Sequence, residues 1–190
     1  MDDNEKLKEI QETYSLCAPY IKAHRIALDI GCDQFMFAGV LSEYFDAVHC
    51  WDFRDKSKSM KRHVRDTSKI FFYNTGLGEK HDIKYTKPGV GRIKSDYRNG
   101  SSTLQVPVET LDSFKLLEKV DFIKLDIEGF EPAVIRGGLK TITHNWPVIL
   151  CEINKGDFTA KDILEDIGYH VVEVYYNKEG LVRDYLFVRE

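Results

Sequence analysis

The feature that most constrains the fold is a run at residues 121–132 that reads DFIKLDIEGFEP. Its first half is apolar and of strand length, interrupted by Lys124 and Asp126 at a spacing of two. Because side chains alternate faces along a strand, we expect Lys124, Asp126 and Glu128 on one side while the strand lasts. The glycine that follows allows the backbone to turn, and the proline after it suits the first turn of a helix. The run therefore predicts a buried strand that passes directly into a helix.

Carboxylates crowd this strand-to-helix junction. Glu131 stands where the helix is expected to begin, and a negative charge is favoured at a helix N-terminus. Asp126 follows an apolar run, and an acid is costly to bury there without a partner or a task. Ligands of open α/β sheets bind at the carboxyl ends of the strands. The junction therefore predicts part of a ligand site, with a solvated acidic loop as the alternative.

A second strand end of interest lies at residues 25–33, where an apolar strand ends in Asp29-Ile30-Gly31 before an apolar helix. Glycine there lets a ligand approach the backbone closely, and Asp29 can meet a cationic group. The G-x-G-x-x-G pattern of dinucleotide sites is missing. This favours a cofactor without phosphates and with a positively charged amino-acid part, such as S-adenosylmethionine. We expect Asp33 to cap the helix that follows.

The next two strand ends extend the cofactor prediction. Residues 47–52 form a strand that ends in Asp52, about 20 residues after the glycine turn, where nucleotide-binding folds place an acid on the ribose hydroxyls. The alternative for Asp52 is a helix cap or a turn residue. A third strand ends before Asn74, in a turn where we expect an adenine to rest.

Four other segments carry structural or functional alternatives. Residues 5–23 have one apolar face and predict a helix that serves as a lid or packs outside the main sheet. Residues 54–66 are basic, which is typical of a solvated helix face or else of a surface for an anionic substrate. The polar loop at residues 100–103 is either a plain turn or faces a substrate. Pro107 is expected on an edge strand, because proline cannot donate to a ladder.

Strands and helices alternate along the chain in five β/α steps. A helix broken near Gly137-Gly138 follows the opening run, and the next strand carries Glu152 near its end. Residues 169–176 and 185–188 predict an antiparallel hairpin. We therefore expect residues 1–190 to form one α/β domain, a three-layer α/β/α sandwich.

Composition narrows the class of protein. Lys+Arg 27 and Asp+Glu 31 give a net charge of −4, so no nucleic-acid or membrane binding is expected. No apolar run approaches the roughly 18 residues of a membrane helix, and the polar N-terminus does not predict a secretory signal. The four cysteines include no Cys-x-x-Cys pair. We therefore expect reduced thiols in a cytoplasmic protein and no zinc site.

Four stretches of the chain together resemble the FkbM-type methyltransferases, within the class I S-adenosylmethionine-dependent Rossmann-like fold. They are LDIG at residues 28–31, VPVETLDS at 106–113, FIKLDIEGFE at 122–131 and PVILCE at 147–152. They follow the family's order, and the IKxDxEGxE run is the most specific of them. The resemblance implies a sheet order of 3-2-1-4-5-7-6 with the last strand antiparallel.

The resemblance also implies a reaction and a placement of the cofactor. It implies O-methyl transfer from S-adenosylmethionine, in relatives commonly to hydroxyls of sugars or other natural products, so the expected acceptor is a small molecule or a carbohydrate. The carboxypropyl arm of the cofactor is expected near Asp29 and Gly31, and its ribose near Asp52. The family usually continues the glycine turn as Gly-x-Asn-x-Gly. Phe35 replaces the second glycine here, and its ring is expected to crowd the methionine arm.

A hydroxyl acceptor needs its proton removed by a carboxylate, a lysine or a metal-bound route. The candidates are Asp126, Glu128, Glu131 and Glu152, with Lys124 as a partner or a base. In the implied sheet order Asp126 and Glu152 end neighbouring strands, where they can hold Mg²⁺ through oxygen ligands. The alternative is that Lys124 and the acids form a structural ion-pair network.

Two other functions compete with O-methylation. One is a module of this fold that no longer catalyses and serves in assembly, which Phe35 favours. The other is methyl transfer to nitrogen. The Asn/Asp-Pro-Pro-Tyr/Phe run that is typical of amino-group methylation does not follow the fourth strand, so this function ranks last.

Overall fold

The computed structural model describes residues 2–87, 103–116, 119–154, 156–176 and 182–189. The helices are α1 Asp3–Cys17, α2 Met36–Tyr44, α3 Ser57–His63, α4 Glu131–Gly137, α5 Leu139–Asn145 and α6 Thr159–Asp166. The strands are β1 Ile26–Ile30, β2 Ala47–Trp51, β3 Ile70–Tyr73, β4 Gly76–Leu77, β5 Asp82–Thr86, β6 Leu104–Glu109, β7 Val120–Leu125, β8 Val148–Glu152, β9 His170–Tyr176 and β10 Val182–Val188. Residues 100–102 of the polar loop predicted at 100–103, and the hairpin turn at 177–180, lie outside the described residues.

Seven strands form the main sheet in the order β3-β2-β1-β7-β8-β10-β9. The first five pair in parallel, and β10 is antiparallel to both of its neighbours. When β4, β5 and β6 are left out, the order along the chain is 3-2-1-4-5-7-6 with the last strand antiparallel. The three-layer Rossmann-like fold and its strand order are therefore confirmed.

Apolar side chains cover both faces of this sheet. On one face, Phe45 and Phe122 pack with α1 and α2. On the other, Ile123 and Leu125 pack with α4, α5 and α6. Adjacent β7 residues thus belong to different core layers, as the strand period of two requires. Three layers with helices on both faces of the sheet result.

The N-terminal helix α1 is anchored to the fold at its C-terminal end. Asp2 and Glu5 form a capping box at its start. Tyr14 is buried, and its ring lies 4.6 Å from that of Tyr44 on α2. A 3-10 turn at Ala18–Tyr20 follows the helix, so the helix ends near the proline, earlier than residue 23.

A second, smaller sheet has the order β4-β6-β5. The expectation of an edge position for the Pro107 strand is wrong, because β6 lies between two neighbours. The short strand β4 pairs only with Val108 and Glu109. At Pro107 itself β6 therefore has a strand on the β5 side alone, which explains why a proline is tolerated.

Two observations concern the setting of the protein. The four cysteines are free and buried, as expected for reduced thiols. None of the helices in the described part of the chain has the length and apolar character of a membrane span. The cytoplasmic location and the single domain over residues 1–190 stay predictions.

Candidate functional site

A cavity of about 520 Å³ opens where β1, β2, β7 and β8 reach their carboxyl ends. This volume lies in the range typical of small-molecule sites, about 300–1,000 Å³. One half is lined by the turns after β1, β2 and β3, and the other half by α1, β9 and β10. Lys124, Asp126, Glu128 and Glu152 line the cavity as well. The fold thus brings four of the five candidate catalytic side chains together.

The turn after β1 depends on Gly31, whose φ is +90°. A Cβ at this position would overlap the backbone carbonyl of Asp126. The amide of Asp126 donates to the carbonyl of Ile30 at 3.0 Å, which joins the ends of β1 and β7. The glycine was expected to make room for a ligand. The structure shows a different reason for the glycine, because the end of β7 approaches so closely that no side chain fits at this position.

Phe35 does not enter the cavity. It precedes α2 with φ 63°, in the left-handed region that glycine adopts without penalty. Its ring is fully buried and lies edge-on to Phe72 at 5.1 Å. The expectation that Phe35 crowds the methionine arm is therefore wrong, because the left-handed backbone directs the ring into the core between α2 and β3.

Asp33 does not cap α2, contrary to expectation. No side chain caps the start of this helix. The Asp33 carboxylate instead forms ion pairs with two basic side chains, with Arg54 Nη2 at 3.2 Å and Lys56 Nζ at 3.5 Å from its Oδ1. The backbone of Asp33 has φ 38°, so its side chain faces the turn after β2 and not the helix.

Asp29 lies beneath Lys124 and has no exposed surface. The two residues are register partners on β1 and β7, and Lys124 Nζ lies 3.8 Å from Asp29 Oδ1. Neither Asp29 oxygen has a hydrogen-bonding partner at normal distance among the described residues, and the backbone amide of Ala38 makes only a weaker contact with the carboxylate. Burial raises the pKa of Asp29 to about 6, although the Lys124 charge opposes that rise. Asp29 was expected to meet the cofactor directly, and the structure places it one layer below the cavity surface.

Lys124 bridges the buried Asp29 and the cavity. Its ammonium donates to Asp126 Oδ2 at 3.1 Å and lies 5.5 Å from the centre of the Phe37 ring. Burial lowers the pKa of Lys124, but the charges of Asp126 and Asp29 raise it by more, so the pKa lies above its usual value. Of its two predicted roles, partner and base, the geometry supports the partner, because an ammonium cannot accept a proton.

Asp126 and Glu152 form a carboxyl pair at the cavity floor. Their side chains share a hydrogen bond, and burial together with the Asp126 charge raises the pKa of Glu152 to about 8. Asp184 on β10 is the direct register partner of Glu152 and adds a third carboxyl group. Like charges opposite each other on neighbouring strands are destabilising. The pair therefore holds a proton at neutral pH that an exposed glutamate would have released.

This raised pKa predicts a pH dependence of stability. The folded protein binds a proton on Glu152 between the unfolded pKa of about 4.3 and the folded value of about 8. Stability from this proton is therefore present at low pH and lost as the pH rises towards 8. Wild type should lose this stability as the pH rises from 6 to 9, and Glu152→Gln should not. We therefore expect the melting temperature of the variant minus that of wild type to increase by a few degrees from pH 6 to pH 9. Thermal unfolding at both pH values measures this, with Glu128→Gln, which replaces an exposed carboxylate of the same cavity, as the matched control. A constant gap for Glu152→Gln would contradict the raised pKa.

Glu131 and Glu128 take different places in the same turn. Glu131 is buried, and its two oxygens accept from the amides of Ile127 and Gly129 at 2.9 and 2.8 Å. These two hydrogen bonds stabilise the turn after β7. Glu131 does not line the cavity, so its role in the structure is to hold this turn. Glu128 is exposed with φ 56° and lines the cavity.

Asp52 and Asn74 were predicted to contact the cofactor. Asp52 lines the cavity but is engaged by Arg54, whose side chain donates to both of its oxygens at 3.1 and 3.0 Å. The Asn74 side chain donates to the Asp52 carbonyl at 3.0 Å and faces a shallow depression next to the cavity. Its neighbours Thr75 and Leu77 line the cavity instead. Asn74 thus braces the end of β2.

Sequence reasoning missed three contributions to this site. Arg54 belongs to the basic run at residues 54–66, and nothing in that run marks it as the partner of Asp52. From Ser57 onward the run forms α3, which has no buried residue, as expected for a solvated helix face. The strand order implied by the resemblance makes β8 and β10 neighbours. It does not reveal the register that places Asp184 of β10 opposite Glu152 of β8. Tyr176 lines the cavity from the end of β9, and although the hairpin itself was predicted, nothing in the sequence marks this tyrosine as a site residue.

The Mg²⁺ hypothesis finds no support in the geometry. Within the residues that the structure describes, no group of three or more His, Cys, Asp or Glu side chains is placed to hold a metal ion.

Sequence comparison identifies a family. A model of the Methyltransferase FkbM domain matches residues 55–185, more than half of the chain. The match contains Lys124, Asp126 and Glu152, and it begins after Asp29 and Asp52. A comparison with curated proteins gives no match.

Several solved structures share the fold. The FkbM methyltransferase from Methylobacillus flagellatus KT is 17% identical with a TM-score of 0.62, covering 87% of this chain and 43% of that chain. The magnesium protoporphyrin IX methyltransferase from Synechocystis PCC 6803, with bound S-adenosylmethionine, is 9% identical with a TM-score of 0.58, covering 97% of this chain and 80% of that chain. The N-methyltransferase NodS from Bradyrhizobium japonicum WM9 is 12% identical with a TM-score of 0.59, covering 100% of both chains. At these identities the likeness shows the fold alone, and the chain spans less than half of the FkbM structure.

Proposed function

The chain belongs to the FkbM methyltransferase family, and from that premise we propose that it transfers a methyl group from S-adenosylmethionine to a hydroxyl of a small-molecule or carbohydrate acceptor. One observation carries the proposal. A single cavity joins the Gly31 turn and Asp52 on one side to the Asp126–Glu152 carboxyl pair on the other. The residues expected to bind the cofactor and those expected to take the acceptor proton thus line the same cavity.

The first half of the cavity fits the cofactor by its chemistry. The Gly31 turn and the end of β2 would hold the methionine arm and the ribose, in the positions that the family resemblance implies. The ring of Phe53 and the side chain of Leu77 line the same half and offer apolar surface to an adenine. Asp29 contributes indirectly, because it fixes the ammonium of Lys124 at the cavity floor.

S-adenosylmethionine supplies an electrophilic methyl group when it is bound. The work of the protein is to hold the acceptor oxygen in line with that methyl and to take its proton. Asp126 and Glu152 lie at the junction of the two halves, where they can orient a hydroxyl. The pair holds one proton at neutral pH, so its ionised carboxylate is the group that can accept the proton of the hydroxyl as a general base. Lys124 stays protonated and holds Asp126 in position.

The second half of the cavity suits a sugar-like acceptor. Tyr176 and Leu16 lie on its wall and are 62% and 52% exposed. Such apolar and aromatic faces can pack on a sugar ring while carboxylates accept from its hydroxyls. The same excess of carboxylates would attract an ammonium group, and this observation favours N-methylation as the second candidate. The assembly-module alternative loses its main argument, because Phe35 lies outside the cavity.

Calorimetric titration of the whole chain tests this proposal first. We expect S-adenosylmethionine and S-adenosylhomocysteine to bind with dissociation constants on the order of 1 μM to 1 mM. Methyl transfer is then measured with acceptor pairs that differ only in a hydroxyl or an amine, such as glucose and glucosamine. Folded protein that binds neither cofactor form would contradict the proposal, and transfer to the amine alone would replace it by the second candidate.

A further inference from the structure

The Asp52 carboxylate is engaged at every acceptor position. Its Oδ1 accepts from the Arg54 backbone amide at 2.8 Å and from Arg54 Nε at 3.1 Å. Its Oδ2 accepts from the Asp33 backbone amide at 3.1 Å and from Arg54 Nη2 at 3.0 Å. A carboxylate offers about four lone-pair sites, two on each oxygen. A ribose diol that donates two hydrogen bonds to Asp52 must therefore displace two of these donors.

The Arg54 side chain is the donor that can leave. The two backbone amides belong to the turns after β1 and β2, and their positions are set by the main chain. The guanidinium is held by a bidentate contact on a flexible stem, and the side chain is 32% exposed. Solvent that reaches the guanidinium can replace its contacts with Asp52 when it leaves, which limits the free energy that this ion pair contributes.

A displaced guanidinium keeps an acidic partner nearby. Arg54 Nη2 already lies 3.2 Å from Asp33 Oδ1, on the rim of the same cavity. The Phe53 ring also lies 5.4 Å from the guanidinium carbon. The side chain can thus release Asp52 without losing every favourable contact, which keeps the cost of displacement small.

We infer that the Arg54 guanidinium occupies the place of the ribose hydroxyls on Asp52 and sets cofactor affinity by the cost of its displacement. Arg54 is then a specificity-determining residue. A ligand with both ribose hydroxyls displaces the guanidinium and gains the carboxylate, whereas a ligand without them leaves the Arg54–Asp52 pair intact. The inference rests on the proposed function, because it requires a ribose at Asp52.

The test compares ligands with and without the diol. Arg54→Met keeps the length of the stem but removes the two side-chain donors. We expect S-adenosylhomocysteine and adenosine to bind this variant about three- to tenfold more tightly than wild type by calorimetry. The affinity for 2′,3′-dideoxyadenosine should not change. Arg65→Met is the matched control, because it removes the same charge from an exposed arginine that pairs with Glu43.

Each other outcome is decisive. If wild type binds S-adenosylhomocysteine and Arg54→Met binds it equally or more weakly, the guanidinium supports the site and the inference is overturned. An equal gain for the dideoxy ligand, or for Arg65→Met, would assign the effect to net charge and would also overturn it. If folded wild type and variants bind neither ligand, the proposed function itself fails. Arg54→Lys, which keeps the charge but cannot form the bidentate contact, provides the same comparison should Arg54→Met fold poorly.

Discussion

Replacing Asp126 by Asn is expected to lower methyl-transfer turnover by about 10²–10⁴-fold, with S-adenosylhomocysteine affinity within about twofold of wild type. The substitution keeps the shape of the side chain and removes its charge. Asp126 shares a hydrogen bond with Glu152 and accepts from Lys124 at 3.1 Å. Without the carboxylate, the acceptor hydroxyl loses the group that orients it and helps to remove its proton.

Single-turnover rates with an identified acceptor measure this effect, next to calorimetry with S-adenosylhomocysteine. Asp162→Asn, an exposed acid on α6, is the matched control and should leave both quantities unchanged. Two results would defeat the assignment. A lower melting temperature with near-normal turnover of the folded enzyme would make Asp126 a structural partner of Lys124. A parallel loss of cofactor affinity would place Asp126 on the cofactor.

The second large effect is expected in stability. Lys124→Met should lower the free energy of unfolding by about 3–5 kcal/mol, because it leaves the Asp29 carboxylate buried without a cation. Asp29 has no exposed surface, and Lys124 Nζ at 3.8 Å is its charged partner in the structure. Denaturant unfolding at pH 8, where an unpaired Asp29 is most costly, gives the quantity directly.

A double variant separates the ion pair from the packing around it. Asp29→Asn combined with Lys124→Met removes both charges, and we expect it to recover much of the lost stability. Lys140→Met, an exposed lysine on α5, should change stability by less than about 0.5 kcal/mol. If the double variant is no more stable than Lys124→Met, the loss comes from packing and the Asp29–Lys124 pair is not its cause.

The two effects concern adjacent layers of one charge network. Asp29 lies below Lys124, and Lys124 lies below Asp126, so the buried acid holds the ammonium that holds the acid at the cavity floor. Substitution of Asp29 is therefore expected to act on the site through Lys124. From the sequence, a structural ion-pair network and a catalytic site were alternative roles for Lys124 and the neighbouring acids. In the structure Lys124 links the two, because it contacts Asp29 in the core and Asp126 at the cavity, where we propose the catalytic site.

The sequence by itself determined the class of fold and the strand ends that matter. Apolar runs of strand length alternate with apolar periodicities of helix length, and the period alone separates the two kinds of element. The carboxylates Asp52, Asp126 and Glu152 follow such runs, so their place at the carboxyl ends of strands needed no structure. The strand order was predicted from the family resemblance. The FkbM match confirms the family, and the sheet of the structure confirms the order.

Tertiary structure alone decided what each side chain contacts. Asp29 and Lys124 are 95 positions apart, and only the register of β1 on β7 places one over the other. Phe35 leaves the cavity because its backbone adopts a left-handed conformation that residue type does not predict. Arg54 also reaches Asp33 because the neighbouring turns after β1 and β2 converge. Periodicity depends on neighbours in the chain, whereas register, backbone hand and side-chain partners depend on segments that meet only after folding.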